Sequence, residues 1–104
     1  MSREIRFSKR AAIKLENLLN FLEKEWSIKV KNDFILKLNR TLSNIQQFPE
    51  SFPESLSKKG LRKCVITKQT TIFYKNDRNS INIVTFFDNR QNPDALNKGL
   101  RDKK

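Results

Sequence analysis

The sequence contains no histidine, one cysteine and two glycines among its 104 residues. Without histidine the chain has no imidazole base, nucleophile or metal ligand, which excludes Ser-His-Asp chemistry and histidine-ligated metal centres. The single cysteine, Cys64, excludes an intrachain disulfide and a cysteine-rich zinc site. The two glycines, Gly60 and Gly99, cannot build a glycine-rich phosphate-binding loop. The sequence therefore predicts neither a metal nor an organic cofactor.

Long apolar runs are also missing. No stretch of about 18 apolar residues is present, as a membrane-spanning helix would need. Residues 1–7 lack the apolar core of a signal peptide. We therefore expect a soluble cytoplasmic protein that does not act at a membrane, with Cys64 as a reduced thiol. The length corresponds to a single domain, residues 1–104, with one modest core.

Acidic residues are scarce relative to basic ones. The chain has 22 Lys and Arg against 11 Asp and Glu, a formal net charge of +11. Residues 55–104 carry +8 of this charge and residues 1–54 only +3. Such an excess favours a polyanionic partner, either nucleic acid, an anionic membrane or an acidic protein segment. A basic surface that only keeps the protein soluble is the alternative.

The N-terminal half has the pattern of one strand and two helices. Residues 3–7 alternate between apolar and charged side chains and predict a short strand. Apolar residues then recur at helical spacing as far as Ile45, ending before Phe48-Pro49, with Ser8 and Ser27 placed as N-caps. Two amphipathic helices with almost no loop between them are expected to form an antiparallel hairpin. We expect Trp26 to be a packing residue at its hinge.

The C-terminal half is rich in β-branched and aromatic residues. After a loop at 49–60, the predicted strands are 61–66, 70–75 and 80–87, followed by a short helix at 94–100. Residues 76–79 have turn chemistry, so the last two strands form a hairpin. The final strand is apolar on both faces, which predicts a central position in the sheet. The predicted fold is α+β, in the order β-α-α-β-β-β-(α), with a mainly antiparallel sheet packed on an N-terminal helix hairpin.

Basic residues are concentrated on and around this predicted sheet. They are Lys58, Lys59, Arg62, Lys63, Lys68, Lys75, Arg78 and Arg90. On the face or rim left free by the helices they would form a phosphate-binding surface, with Tyr74 available for stacking or proton transfer. The alternatives are that the cations protect edge strands from aggregation, that Tyr74 is a core residue and that Arg90 anchors a loop. Cys64 is expected to be a small strand residue, since no histidine can activate it.

The order of elements and a set of short strings resemble the RelE/ParE superfamily of bacterial toxins, most closely its ParE branch. The resemblance runs from Ile5 to about Leu100. The strings are Phe7-Ser8, Ala11-Ala12, Trp26-Ser27, Ile45 with Pro49, Leu61-Arg62, Thr71-Ile72-Phe73-Tyr74-Lys75, Ile81-Asn82-Ile83-Val84 and Asn89-Arg90 with Pro93.

The resemblance implies the toxin of a type II toxin–antitoxin pair, neutralised by a small acidic antitoxin. RelE-like members cleave messenger RNA in the ribosomal A site, whereas ParE-like members inhibit DNA gyrase. Carried over from the nucleases, Arg62 matches a basic cluster position and Arg90 matches an arginine after the last strand. Cys64 replaces a lysine of that cluster, Thr71 replaces a central arginine, and no tyrosine or histidine follows Arg90.

Three functional hypotheses follow. The leading one is a ParE-like toxin that inhibits growth by binding gyrase and has no catalytic centre. The first alternative is an endoribonuclease that acts on messenger RNA at the ribosome, with Tyr74, Arg90 and Arg62 as its catalytic residues. The second alternative is a catalytically inactive relic that binds nucleic acid.

Overall fold

The computed structural model describes residues 3–56, 58 and 60–90 of the chain. These residues form β1 Glu4–Phe7, α1 Lys9–Glu25, α2 Ile28–Gln47, β2 Arg62–Val65, β3 Thr70–Asn76 and β4 Ser80–Asp88. The predicted α+β fold and the order of its elements are confirmed over this range. The helix predicted at 94–100 lies outside the described residues.

Both helices begin at a serine, as the sequence predicts. The Ser8 hydroxyl accepts a hydrogen bond from the amide of Ala11 at 2.9 Å, and Ser27 accepts from Val30 at 3.0 Å. Each bond satisfies an amide that the first turn of a helix leaves free, which is typically worth about 1 kcal/mol. Ser8 also donates to the carbonyl oxygen of Val84 at 2.7 Å, which joins the start of α1 to β4.

The sheet has the strand order β1-β4-β3-β2. β1 runs parallel to β4, while the pairs β4–β3 and β3–β2 are antiparallel. The two helices connect β1 to the rest of the sheet, and α1 packs against both α2 and β4. β4 therefore has a neighbour on each side, which explains its apolar residues on both faces and confirms the predicted central position.

A β-bulge in β4 determines how α1 meets the sheet. Phe73 pairs with Thr85 but the next residue, Tyr74, pairs with Ile83, so Val84 is an extra residue in β4. The carbonyl of Val84 accepts from Ser8, and that of Phe86 accepts from the Lys14 ammonium at 3.3 Å. Where β1 ends, the first turns of α1 thus continue along β4.

One core joins the helices to one face of the sheet. Its buried members are Ala11, Leu18 and Leu22 from α1, Phe34, Leu38 and Ile45 from α2, and Cys64, Ile72, Tyr74, Ile81, Ile83 and Phe86 from the sheet. Side chains alternate along β3, so Ile72 and Tyr74 lie on this core face while Phe73 and Lys75 lie on the other face. Burial of this apolar surface is the main driving force for folding.

The loop between α2 and β2 turns at Gly60, whose φ of 84° is strained for any other residue. The turn lays the preceding segment alongside β2. Ser55 donates its amide to the carbonyl of Leu61 at 2.7 Å, and Lys63 donates its amide to Pro53 at 3.0 Å. These bonds partly cover the free edge of β2 and place Lys58 beside the sheet.

The prediction that Trp26 packs at the helix hinge is wrong, because 60% of the residue is exposed. Trp26 is four residues past Leu22 and would continue the buried stripe if α1 ran on. The helix instead ends at Glu25, and Trp26 has φ −121° and ψ −84°. This non-helical backbone takes the indole out of the stripe, and Ser27 starts α2 immediately afterwards.

Candidate functional site

Arg62 and Tyr74 are register partners on β2 and β3. The Tyr74 hydroxyl donates to the carbonyl of Pro49 at 2.7 Å. The Arg62 guanidinium donates to the carbonyls of Phe52 at 2.6 Å and Glu50 at 3.4 Å. Phe52 lies edge-on to the tyrosine ring, with 6.3 Å between centroids. The two predicted catalytic residues thus lie together and hold the segment that follows α2.

The environment of Tyr74 keeps its hydroxyl protonated. The residue has no solvent-exposed surface. Burial raises the pKa of Tyr74 to about 12, against a smaller opposing effect of the Arg62 charge. Its single hydroxyl hydrogen is already donated to Pro49. In this conformation the hydroxyl hydrogen is held in the bond to Pro49 and the oxygen does not face solvent. The hydroxyl is therefore not placed to give a proton to a substrate or to take one from it.

Arg90 is held by a buried carboxylate. Its guanidinium donates to both Asp88 oxygens, at 2.9 and 3.3 Å, and its backbone amide donates to Asp88 Oδ1 at 2.9 Å. The Thr70 hydroxyl donates to Asp88 Oδ2, and the side chain of Asp88 is only 2% exposed. Burial alone would raise the pKa of Asp88, but the hydrogen bonds from Arg90 and Thr70 lower it below its usual value.

The structure does not bring Arg90 together with the other two predicted catalytic residues. Arg90 reaches Thr70 at the first position of β3, at 3.4 Å from the hydroxyl. Tyr74 is four residues further along this strand, about 13 Å away at 3.3 Å per residue. Arg62 lies opposite Tyr74. The three residues therefore occupy two separate places.

The other predicted basic residues that the structure describes are exposed and are spread along the β2–β3–β4 region. Lys63 lies in β2 and Lys75 in β3, both on the face opposite the core. Lys68 is in the turn before β3, and Arg78 is in the turn after it. Lys59 lies outside the described residues. The predicted surface is thus divided between the sheet face and the two ends of β3.

A compact basic cluster surrounds Phe73 in the middle of the sheet. The Lys58 ammonium lies over the Phe73 ring, 5.4 Å from its centroid. Lys63 is the register partner of Phe73 on β2 and shares its face. Lys14 reaches in from α1 to the carbonyl of Phe86 at 3.3 Å.

Arg10 precedes Lys14 by one helical turn and lies on the same side of α1. Burial, with the positive charges of Arg10 and Lys58, lowers the pKa of Lys14. We call Arg10, Lys14, Lys58 and Lys63 the Phe73 patch. In the described part of the chain, the ion pairs are made by other cations.

Sequence reasoning missed Arg10 and Lys14 as members of this cluster. Both belong to the polar side of a helix whose apolar stripe explains its fold. The sequence does contain one indication of a basic cluster, since α1 begins Lys9-Arg10 and has no acidic residue before Glu16. Its first turn contains no acidic residue to complement the helix dipole. The proximity of Lys14 to Lys58 follows from tertiary packing between α1 and the loop before β2, which the sequence does not reveal.

A cleft of about 240 Å³ lies at the opposite end of β3 from Tyr74. It is lined by Leu22, Val30, Asp33, Phe34, Lys37, Thr67, Gln69 and Arg90. Asp33 is paired with Lys29 on the helix surface at 2.9 Å. The cleft thus joins two cations, Lys37 and Arg90, to an apolar floor.

Cys64 is a buried residue of β2, as predicted, with 5% of its surface exposed. Burial raises the pKa of its thiol, so the reactive thiolate is disfavoured. Over the residues that the structure describes, no group of three or more His, Cys, Asp or Glu side chains is arranged to hold a metal ion. Neither described helix is long and apolar enough to cross a membrane.

Comparisons with known proteins identify similar chains. The family model described as "ParE toxin of type II toxin-antitoxin system, parDE" matches residues 5–93. A structure of the chromosomal ParDE TA system from P. aeruginosa has a TM-score of 0.70 at 11% identity, covering 84% of this chain and 96% of that chain. The YoeB dimer from Staphylococcus aureus has a TM-score of 0.59 at 17% identity, covering 84% and 97%. The E. coli DinJ-YafQ toxin-antitoxin complex has a TM-score of 0.57 at 13% identity, covering 86% and 96%. No curated protein sequence matches significantly.

Two helices packed on a four-stranded mixed sheet define the fold of the RelE/ParE-like toxins. Because the family match spans most of the sequence, the chain belongs to the ParE toxin family of type II toxin–antitoxin systems. The resemblance to the ParE branch is thereby confirmed. Structures from toxin–antitoxin systems are among those that share the fold.

Proposed function

We propose that this chain arrests growth by binding DNA gyrase, without a catalytic centre of its own, and that a cognate antitoxin neutralises it. The observation that carries the proposal is the placement of the three residues that a nuclease would need. Arg62 and Tyr74 are engaged by the backbone of residues 49–52, and Arg90 is engaged by Asp88. Membership of the ParE family supports the same conclusion.

The engagement of Tyr74 is the main argument against catalysis. A general acid or base must lie within hydrogen-bond reach of the proton that it transfers. Tyr74 has no exposed surface and its hydrogen bond is to the protein's own backbone. Arg90, which would stabilise charge on a scissile phosphate, is held by Asp88 and reaches Thr70, four residues before Tyr74 on β3. A ribonuclease built on these residues would need to rearrange both ends of the strand.

The proposed antitoxin contact combines charge with apolar surface. Val65, Thr71 and Phe87 are register partners across β2, β3 and β4 on the face opposite the core. Val65 is 61% exposed and Phe87 is 41% exposed. Exposed Lys63 lies two residues before Val65 on this face. A segment that carries acidic and apolar side chains in alternation suits this surface.

The gyrase proposal is tested with purified components. The protein is added to gyrase and relaxed plasmid, and supercoiling and trapped cleaved DNA are measured. We expect loss of supercoiling or accumulation of cleaved DNA, and in cells, DNA breaks and filaments while bulk messenger stays intact. Unimpaired gyrase in the presence of a protein that still arrests growth would overturn the proposal.

The antitoxin proposal is tested through association kinetics. The acidic antitoxin that we expect to be encoded beside this gene is co-expressed, and binding is measured at increasing salt. Because electrostatic steering acts mainly on the association rate, we expect that rate to fall steeply with ionic strength. A salt-independent association rate would contradict the charge-based contact.

The endoribonuclease remains a second candidate because of one observation. Arg90 and Lys37 both line the cleft beside α2, so a phosphate there would meet Lys37 and would compete with Asp88 for Arg90. Such a nuclease would cut messenger at codon boundaries soon after induction and leave gyrase unaffected. Mapping of messenger ends in induced cells separates the two candidates.

A further inference from the structure

Lys14 lies within electrostatic range of Arg10 and Lys58 although like charges repel, and Lys63 lies beside Phe73 on β2. Lys14 and Lys58 approach the sheet at neighbouring positions. Lys58 covers Phe73, and the register partner of Phe73 on β4 is Thr85. The next residue along β4 is Phe86, whose carbonyl accepts the hydrogen bond from Lys14. Within the described residues, the patch includes no ion pair with a carboxylate. A bound anion would relieve this repulsion.

The helix that supplies two of the cations adds to the positive potential. Arg10 is the second residue of α1, and the first turn has no acidic side chain. The N-terminal end of a helix carries a partial positive charge, which basic residues in the first turn do not offset. The same end attracts anions through its free amides. The field of α1 and the four side chains therefore favour the same kind of ligand.

We propose that the Phe73 patch binds successive phosphates in the backbone of duplex DNA. The charges are on two lysines of the sheet side, Lys58 and Lys63, and on two side chains of α1, Arg10 and Lys14. Phosphate contacts of this kind position a protein on the duplex without reading its sequence. They supply most of the affinity of non-specific binding.

The apolar residues of the patch explain why the ligand is a phosphate backbone. Single-stranded nucleic acid is bound by exposed aromatic rings on which bases stack. Here Phe73 is 8% exposed and lies under Lys58, and Phe86 is 2% exposed. An acidic peptide would also need apolar contacts, which the neighbouring Val65–Phe87 row offers but the patch does not. Charge alone is available, and a duplex backbone requires only charge.

The choice of DNA over duplex RNA rests on the proposed function, because gyrase holds duplex DNA. A toxin bound to gyrase would then contact the DNA that the enzyme carries. The patch itself is tested without gyrase, so the two proposals fail separately.

The experiment measures binding of the whole protein to a fluorescent DNA duplex of mixed sequence over a series of salt concentrations. Each phosphate neutralised contributes about −0.9 to the slope of log K against log salt. Four contacts predict a slope of about −3.6, or roughly 10²-fold weaker binding on going from 50 to 200 mM salt. Each change among Arg10→Gln, Lys14→Gln, Lys58→Gln and Lys63→Gln should reduce the slope by about 0.9.

A control variant removes the same number of charges elsewhere: Lys24→Gln, Lys29→Gln, Lys31→Gln and Arg40→Gln. It has the same net charge as the fourfold patch variant, so a general charge effect would weaken both equally. We expect the control to keep a slope close to that of the wild type. Because Lys14 is bonded to the sheet, the pair Arg10→Gln and Lys58→Gln serves as a second patch variant that breaks no side-chain hydrogen bond of the described structure.

The outcomes are distinct. A slope reduced only in the patch variants supports the proposal. Equal slopes in the patch and control variants would overturn it, as would the absence of DNA binding by the wild type. Tighter binding to an RNA duplex of the same sequence, or binding only to phosphatidylserine vesicles or to the acidic antitoxin, would also overturn the assignment to DNA. Gyrase inhibition by the wild type, measured in parallel, reports on the proposed function and not on the patch.

Discussion

Arg62 and Tyr74 face each other on neighbouring strands and bind backbone carbonyls of the same segment, Tyr74 at Pro49 and Arg62 at Glu50 and Phe52. The segment leads away from α2, so the pair fixes where the second helix meets the sheet. Two residues that resemble members of a catalytic set thus serve as a structural clamp in this conformation. This clamp and the Asp88–Arg90 ion pair at the other end of β3 should each make the stability of the fold sensitive to mutation and pH.

The clamp predicts a measurable coupling between its two residues. Tyr74→Phe leaves the buried carbonyl of Pro49 without its donor and should cost about 1–2 kcal/mol of unfolding free energy. Arg62→Gln should cost about 1 kcal/mol. Because both hold one segment, a double-mutant cycle by urea unfolding should give a coupling of at least about 0.5 kcal/mol. Additive effects would contradict the clamp, and exposed Arg78→Gln should change stability by less than about 0.5 kcal/mol.

The ionisation of Tyr74 is directly observable because it is the only tyrosine in the chain. Its pKa is raised from 10.0 to about 12, so the stability due to its protonated form is complete below pH 10. That contribution is lost as the pH rises toward 12, since only the unfolded chain ionises freely in this range. An absorbance titration should give a midpoint near 12 when folded and near 10 in denaturant. A folded midpoint near 10 would contradict the buried hydroxyl.

The sequence alone could not decide whether Tyr74 is a core residue or a residue that transfers protons. The string Thr71-Ile72-Phe73-Tyr74-Lys75 predicts a strand, but it has three large side chains in a row. Because side chains alternate along a strand, Phe73 and Tyr74 must lie on opposite faces of the sheet. This alternation does not determine which of the two faces the helices cover. The contact that decides the matter comes from Pro49, which is 25 residues away in the chain. Strands and helices follow from local patterns, whereas this hydrogen bond follows from packing.

The Asp88–Arg90 pair predicts a loss of stability in acid. The lowered pKa of Asp88 means that its carboxylate stabilises the fold at neutral pH, and this contribution disappears as the pH falls below the usual aspartate value toward the lower folded value. Asp88→Asn should cost about 2 kcal/mol at pH 7. The difference from the wild type should shrink below about pH 4.

The matched control is Asp33→Asn, which removes a half-exposed carboxylate paired with Lys29 on the helix surface. It should change stability by less than about 0.5 kcal/mol at either pH. Urea unfolding at pH 7 and pH 3.5 measures both variants. If the wild type exceeds Asp88→Asn in unfolding free energy by the same amount at pH 7 and at pH 3.5, the proposed charge dependence is contradicted.

Trp26 provides a test of the helix junction. Since 60% of the residue is exposed, Trp26→Ala should change the free energy of unfolding by less than about 0.5 kcal/mol. As the only tryptophan, it should also show fluorescence typical of a solvated indole in the folded protein. A buried packing residue would instead cost about 3 kcal/mol or more on truncation and emit at shorter wavelength.

The helix junction and the Phe73 patch mark the limit of prediction from this sequence. Ser8 and Ser27 identify the helix starts because capping is a local hydrogen bond. The end of α1 depends on the backbone angles of Trp26, for which the apolar spacing after Leu22 is misleading. The patch depends on how α1 and the loop before β2 pack against the sheet, and β4 contains an extra residue, Val84, that no residue type in that strand predicts.

The central claim, inhibition by binding, is tested most directly by the toxicity of Tyr74→Phe. The variant keeps the ring and removes only the hydroxyl. Ser27→Ala is the control, because loss of an N-cap costs a similar amount, about 1 kcal/mol, in a different part of the protein. Growth arrest is measured at equal soluble amounts of each variant. We predict that both variants arrest growth nearly as well as the wild type. A folded Tyr74→Phe protein that no longer arrests growth, beside a toxic Ser27→Ala protein, would mean that the hydroxyl takes part in chemistry and would contradict the account.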